Sequence, residues 1–151
     1  MARLHYEDFS EGSVQEFGPR TITREEIIAY AKEFDSQPMH FDEEAATRSL
    51  LGGLSASGWH TCCFMFRMMY DYVIKDSASL GSPGIEETKW LRPVRPGMTM
   101  TLRLEVIDKR VSKSRPEMGI VRIRTRLLDE KGAAVVEQTS TLLIGLREPA
   151  Q

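Results

Sequence analysis

The chain has 151 residues, 41% of them hydrophobic and 28% charged, with a formal net charge of -2. That length suits one domain with a substantial core, spanning residues 1–151, and is too short for two of ordinary size. The faintly acidic balance lacks the basic excess that nucleic-acid binding demands, which excludes that class of partner.

The two cysteines, Cys62 and Cys63, are neighbours and cannot staple distant segments, as expected of a reducing interior. His5, His40 and His60 lack the spacing of metal ligands, so no metal is expected. The first residues carry no apolar signal core, and the longest apolar stretch is interrupted by Arg67 and Asp71. No membrane span is expected, and the reading is cytoplasmic.

In chain order, Val14 to Thr21 is a short, partly alternating segment interrupted by Gly18-Pro19. Thr23-Arg-Glu-Glu26 then matches a capping box and predicts a helix to about Phe34, with Ile27, Ile28, Tyr30, Ala31 and Phe34 as its apolar face. Pro38 has no amide hydrogen and biases Gln37 toward extended backbone, so the helix stops and Asp35 to His40 form a turn. On a helix, residues five apart point about 140° from one another; in a turn the Asp35 carboxylate and the His40 imidazole can converge. Asp42-Glu43-Glu44 before two alanines reads as a short helix with an acidic start, and Leu51-Gly-Gly-Leu54 is a flexible approach to the next element. Ser57 reads as the N-cap of a helix from Gly58 to about Lys75. Trp59, Cys62, Cys63, Phe64, Met65, Phe66, Met68, Met69, Tyr70 and Val73 leave that helix little polar face, so burial nearly all round is expected.

The period then changes from helical to twofold. Ser82-Pro-Gly84 and Arg95-Pro-Gly97 bound a segment from Ile85 to Val94. Met98, Met100, Leu102, Leu104 and Val106 alternate with polar residues, as do Val121, Ile123 and Leu127 with Arg122, Arg124 and Arg126, which predicts half-exposed antiparallel strands. Lys113 to Glu117 reads as a loop between them, and Asp129-Glu-Lys-Gly132 as a turn into the last strand, Ala133 to Leu146. Helices first and strands afterwards, with one helix too apolar to face water, imply an α+β fold: a curved antiparallel sheet wrapped around a long buried central helix.

Asp35 and His40 are the acid and imidazole placed to grip one water, and an imidazole both accepts and donates protons. Gly58 opens a helix whose first amides are free to hold a developing oxyanion. Singly, each has a plainer role: Asp35 as a turn cap, His40 as a core histidine, Gly58 as a point of close packing. A base, an acid and an oxyanion donor together favour an active site. His60 reads as a helix-face residue outside that set, and Asp42 as a helix starter.

Asp35-x-x-Pro38-x-His40-x-Asp42, then Gly58-Trp59-His60-Thr61 opening an apolar helix, then Lys89-Trp-Leu-Arg-Pro93-Val-Arg-Pro96-Gly97 entering the strands, resembles the MaoC-like, hot-dog-fold (R)-specific enoyl-CoA hydratases and dehydratases. The resemblance covers nearly the whole chain. It implies one hot-dog domain, a homodimer or a dimer of dimers with sheets joined edge to edge, and a place in fatty acid metabolism. The substrate it implies is a 2-enoyl thioester on coenzyme A, with the coenzyme part of the substrate and no separate cofactor. The implied reaction is that of a hydro-lyase giving a 3-hydroxyacyl-CoA, with Asp35 and His40 handling water and Gly58 the thioester oxygen. Ser57, Trp59, Arg92 and Arg95 are the candidate substrate-binding residues; the Arg122, Arg124, Arg126 stripe reads as a solvated sheet face. The well-studied members place a serine about two turns into the helix to support the catalytic carboxylate, where this chain has Phe66, and Gln37 stands for their usual asparagine. Two other readings belong to the same fold: an acyl-CoA thioesterase, or a non-catalytic acyl-CoA-binding domain.

Overall fold

Alternating burial organises the second half of the chain. In a computed structural model, which describes residues 2–151, the strands are β1 (Val14–Thr21), β2 (Ser79–Gly81), β3 (Ile85–Trp90), β4 (Thr99–Val111), β5 (Met118–Leu128) and β6 (Ala134–Gly145). Met100, Leu102, Leu104 and Val106 of β4 and Val121, Ile123, Thr125 and Leu127 of β5 are buried, while the residues alternating with them are partly exposed. Such alternation turns one face of each strand to the core. All neighbouring strands run antiparallel, in the order β1-β4-β5-β6-β2, with β3 also pairing β6. The β5–β6 turn closes where the Asp129 carboxylate accepts from the amides of Lys131 and Ala133, each at 2.9 Å.

The helices are α1 (Arg24–Phe34), α2 (Glu43–Arg48) and α3 (Gly58–Tyr72). Thr23 Oγ1 accepts from the Glu26 amide at 3.1 Å and the Glu26 carboxylate accepts from the Thr23 amide at 2.9 Å, the reciprocal cap its sequence predicts. Phe64, Met65, Met68 and Met69 of α3 join the inner sheet residues in one core cluster. This is the hot-dog arrangement, a sheet holding one central helix.

Three expectations are corrected. The central helix is not buried nearly all round: Trp59, Phe66 and Tyr70 are 63%, 58% and 42% exposed, and Cys63 is exposed as well. These positions share one face at helical spacing, because the sheet covers only the other side of α3. The helix also ends at Tyr72 and continues to Asp76 as a single 3-10 turn. The segment predicted from Ile85 to Val94 is a strand only to Trp90, after which Leu91–Pro96 leaves the sheet. On the opposite sheet face, Arg122 pairs with Glu86 and Asp108, Arg124 with Glu105, and Arg126 with Glu137, each within 3.4 Å. Among the described residues no helix is long and apolar enough to cross a membrane, and no group of three metal-ligating side chains is present.

Candidate active site

Three loops meet over the N-terminus of α3. Asp35 caps the C-terminus of α1, its amide donating to Ala31 O at 2.9 Å. Pro38 opens a one-turn 3-10 helix ending at His40, which turns the chain back so that the His40 ring lies under the carboxylate. The Leu51–Ser57 segment then crosses the site, and Ala56 donates to Val94 O at 2.8 Å, tying it to the segment after β3. Between the loops lies a cavity of about 480 Å³, bordered by Asp35, His40, Gly58, Trp59, Trp90 and Arg92 among others.

Asp35 and His40 do come together. His40 Nε2 stands 3.6 Å from Asp35 Oδ2, too far for a direct hydrogen bond and near enough for both to touch one water. On its other side His40 Nδ1 lies 2.8 Å from Ser55 O. A carbonyl only accepts, so Nδ1 carries the hydrogen, and in that tautomer the lone pair of Nε2 faces the carboxylate. Asp35 is held from two further sides: Ser57 Oγ donates to Oδ2 at 2.6 Å and Gln37 Nε2 donates to Oδ1 at 2.8 Å. The Ser57 hydroxyl first, then the Gln37 amide, hold the carboxyl below its usual range against the opposing effect of partial burial.

Ser57 therefore departs from its expected part. It occupies the N-cap of α3, yet its side chain makes no capping bond and is committed to Asp35. Phe66 lines a different cavity and does not border this one. The carboxylate support that resemblance placed two turns into the helix is supplied by Ser57, from the helix's first boundary. Asp42 is a cap, accepting from the amides of Glu44 and Ala45 at 3.0 and 3.1 Å.

Gly58 sits at the first position of α3, where an amide has no intrahelical acceptor, and it borders the cavity. Its missing side chain has a packing reason as well: a Cβ there would stand 2.7 Å from the Trp90 indole. Trp90 Nε1 donates to Gly58 O at 2.8 Å, and its ring meets Trp59 edge-on with centroids 5.5 Å apart. Trp90 was not among the candidates drawn from sequence, although its place in the Lys89-to-Gly97 motif was the available signal.

The remaining candidates divide. Trp59 and Arg92 border the cavity. Arg95 does not: its guanidinium donates to Gly53 O at 2.7 Å, to Ser55 Oγ at 2.8 Å and to Leu51 O. Its visible work is to pin the loop that carries the Ser55 carbonyl. His60 lies outside the cavity, stacked on Tyr30 at 4.5 Å, with Nδ1 buried and unpartnered; burial pushes its imidazole below the ordinary range. Tyr30 is pushed up to about 12 by burial and by the Cys63 thiol beside it.

Comparison with known proteins agrees with this fold. The MaoC-like dehydratase from Rhodospirillum rubrum superimposes with a TM-score of 0.86 at 34% identity, covering 96% of this chain and 99% of that one. The uncharacterised protein YdeM of Bacillus subtilis is 27% identical over 141 residues, 93% of this chain and 99% of its own length. The mesaconyl-CoA hydratase of Cereibacter sphaeroides is 25% identical over 148 residues, 96% of this chain but 42% of that protein. Residues 8–126 match the MaoC-like domain family, and the chain belongs to that family.

Proposed function

We propose that the site adds water across the double bond of a 2-enoyl-CoA, giving a 3-hydroxyacyl-CoA, and catalyses the reverse elimination. The observation that carries this reading is the 3.6 Å gap between Asp35 Oδ2 and His40 Nε2, opening on the cavity that Gly58 also borders. Both flanking atoms are acceptors, so a water between them donates one hydrogen to each and turns a lone pair toward the β carbon. As the oxygen–carbon bond forms, the water proton passes to His40 Nε2 and the alkene electron pair moves toward the thioester oxygen. The amide of Gly58, at the positive end of α3, stabilises that developing charge. The imidazolium then returns its proton to the α carbon, and both atoms and charge balance. Coenzyme A enters as part of the substrate, with Trp59 and Arg92 along its path. A second copy of the chain joins along the exposed edge of β3.

Loss of enoyl absorbance from crotonyl-CoA tests the reading. Asp35→Asn removes the charge of one acceptor and His40→Ala removes the other, and each is expected to lower kcat/KM by about 10²–10⁴-fold while the circular dichroism spectrum shows the fold retained. Wild-type rates in either variant would discard this mechanism.

A further inference from the structure

A second cavity, of about 120 Å³, lies further along α3, bordered by Met65, Phe66, Met69, Ile85, Ile123 and Gln138 among others. It shares no bordering residue with the first. Both lie along the same slot between α3 and the β3–β6 side of the sheet. The first is at the start of α3, by Gly58 and Trp90; the second is about two to three turns on.

Three side chains close the slot between them. Trp90 borders the first cavity and is tied to Gly58 O. Cys62 stands one helical turn on from Gly58, the glycine against which the Trp90 indole packs. Gln138 Nε2 stands 3.9 Å from Cys62 Sγ and donates to Thr88 Oγ1 at 3.1 Å, and Gln138 itself borders the second cavity. These bonds tie helix to strand on the stretch of α3 between the two cavities.

We infer that Trp90, Cys62 and Gln138 form a partition that restricts the site to short acyl groups. The second cavity is the apolar space an acyl tail would occupy if the partition were cut back. This inference rests on the reading of the first cavity as an acyl-thioester site. An acyl group lying from the Asp35–His40 gap along the slot meets the Trp90 ring and then the Cys62–Gln138 bridge. To pass, a longer tail must break the Gln138–Thr88 bond and leave polar groups unpaired in a half-buried place. It must otherwise bend into water, which forfeits its apolar burial. Beyond the partition the walls turn apolar, through Met65, Met69, Ile85, Ile123 and Leu142, which suits a hydrocarbon tail.

The test measures kcat/KM for four-carbon and eight-carbon 2-enoyl-CoA. Wild type is expected to favour the four-carbon substrate by at least about tenfold, and Gln138→Ala to shrink that preference by about tenfold. Gln138→Leu refills the space and keeps the wild-type preference; Cys62→Ala opens the partition from the helix side and serves if Gln138→Ala does not fold. Affinities for butyryl-CoA and octanoyl-CoA, read from tryptophan fluorescence, give the same ratio without turnover, since the only two tryptophans, Trp59 and Trp90, border the first cavity. Equal preference in wild type, or an unchanged ratio in both opening variants, overturns the partition. A shifted affinity ratio without hydration of crotonyl-CoA would sustain the partition and sink the hydratase reading; hydration with an unshifted ratio would do the opposite.

Discussion

Asp35 is shaped by what donates to it. Its two oxygens each accept a side-chain bond, from Ser57 and from Gln37, which keeps it ionised and aims Oδ2 across the gap to His40. A hydrogen bond to a charged group is worth about 1.5–3 kcal/mol, and Ser57→Ala is expected to cost that much stability at neutral pH. The Asp35 carboxyl is depressed in the folded state, so its contribution is present above the unfolded value of about 3.9 and is lost as pH falls through the lower folded value. The penalty of Ser57→Ala therefore shrinks in acid, and the acid limb of kcat/KM moves to higher pH as the carboxyl rises toward its ordinary range. Tyr30 of α1 and His40 are the titratable groups facing Asp35, and neither is altered by the substitution. Denaturant unfolding at neutral and acid pH, with a pH–rate profile, checks both; an equal penalty at the two pH values would refute this account. The carboxylate and imidazole were legible in sequence because Pro38 enforces the turn between them. The role of Ser57 was not, because a hydroxyl before a helix can serve its own helix or a distant acceptor. Only the meeting of the α1 C-terminus with the α3 N-terminus decides between these.

At the scale of elements, Arg95 connects the β4 approach to the Leu51–Ser55 loop. It was a candidate substrate ligand in sequence, yet its guanidinium reaches three groups of the Leu51–Ser55 segment, whose last carbonyl sets the His40 tautomer. Arg95→Ala is expected to lower kcat for crotonyl-CoA and for crotonyl-N-acetylcysteamine by the same factor, about tenfold, since a loosened loop disorders His40 whatever the carrier. Lysine does not restore it, because a single ammonium cannot reproduce the planar fork. If the loss falls on KM and only for the coenzyme A thioester, Arg95 is a phosphate ligand instead. The local elements were legible for local reasons: the Thr23–Glu26 cap, the break at Pro38, the twofold alternation of β4 and β5. The three-residue β2 was not, being too short to show a period. The exposed face of α3 was misjudged because bulky residues look alike whether they turn to their own sheet or to another surface.

For the molecule as a whole, that face is the unfinished part. Trp59 meets Trp90, and Phe66 borders the same cavity as Ile85, so the outward side of α3 and the strand β3 form one apolar surface. Ile85 is 57% exposed, and β3 pairs only with β6, leaving its other edge open. An open strand edge beside a contiguous apolar surface is what monomers avoid and what a twofold partner covers, strand against the same strand of a second copy. Light scattering is therefore expected to give twice the 17.2 kDa chain mass. Ile85→Glu places a charge on the joining edge and faces its own symmetry mate, so it should yield monomers that retain the core, with a melting temperature that no longer rises with protein concentration. Phe66→Glu should act in the same direction from the helix side. Wild-type protein that runs as a monomer at micromolar concentration would show that this surface serves something other than a second copy, and dimers persisting in both variants would place the contact elsewhere on the sheet.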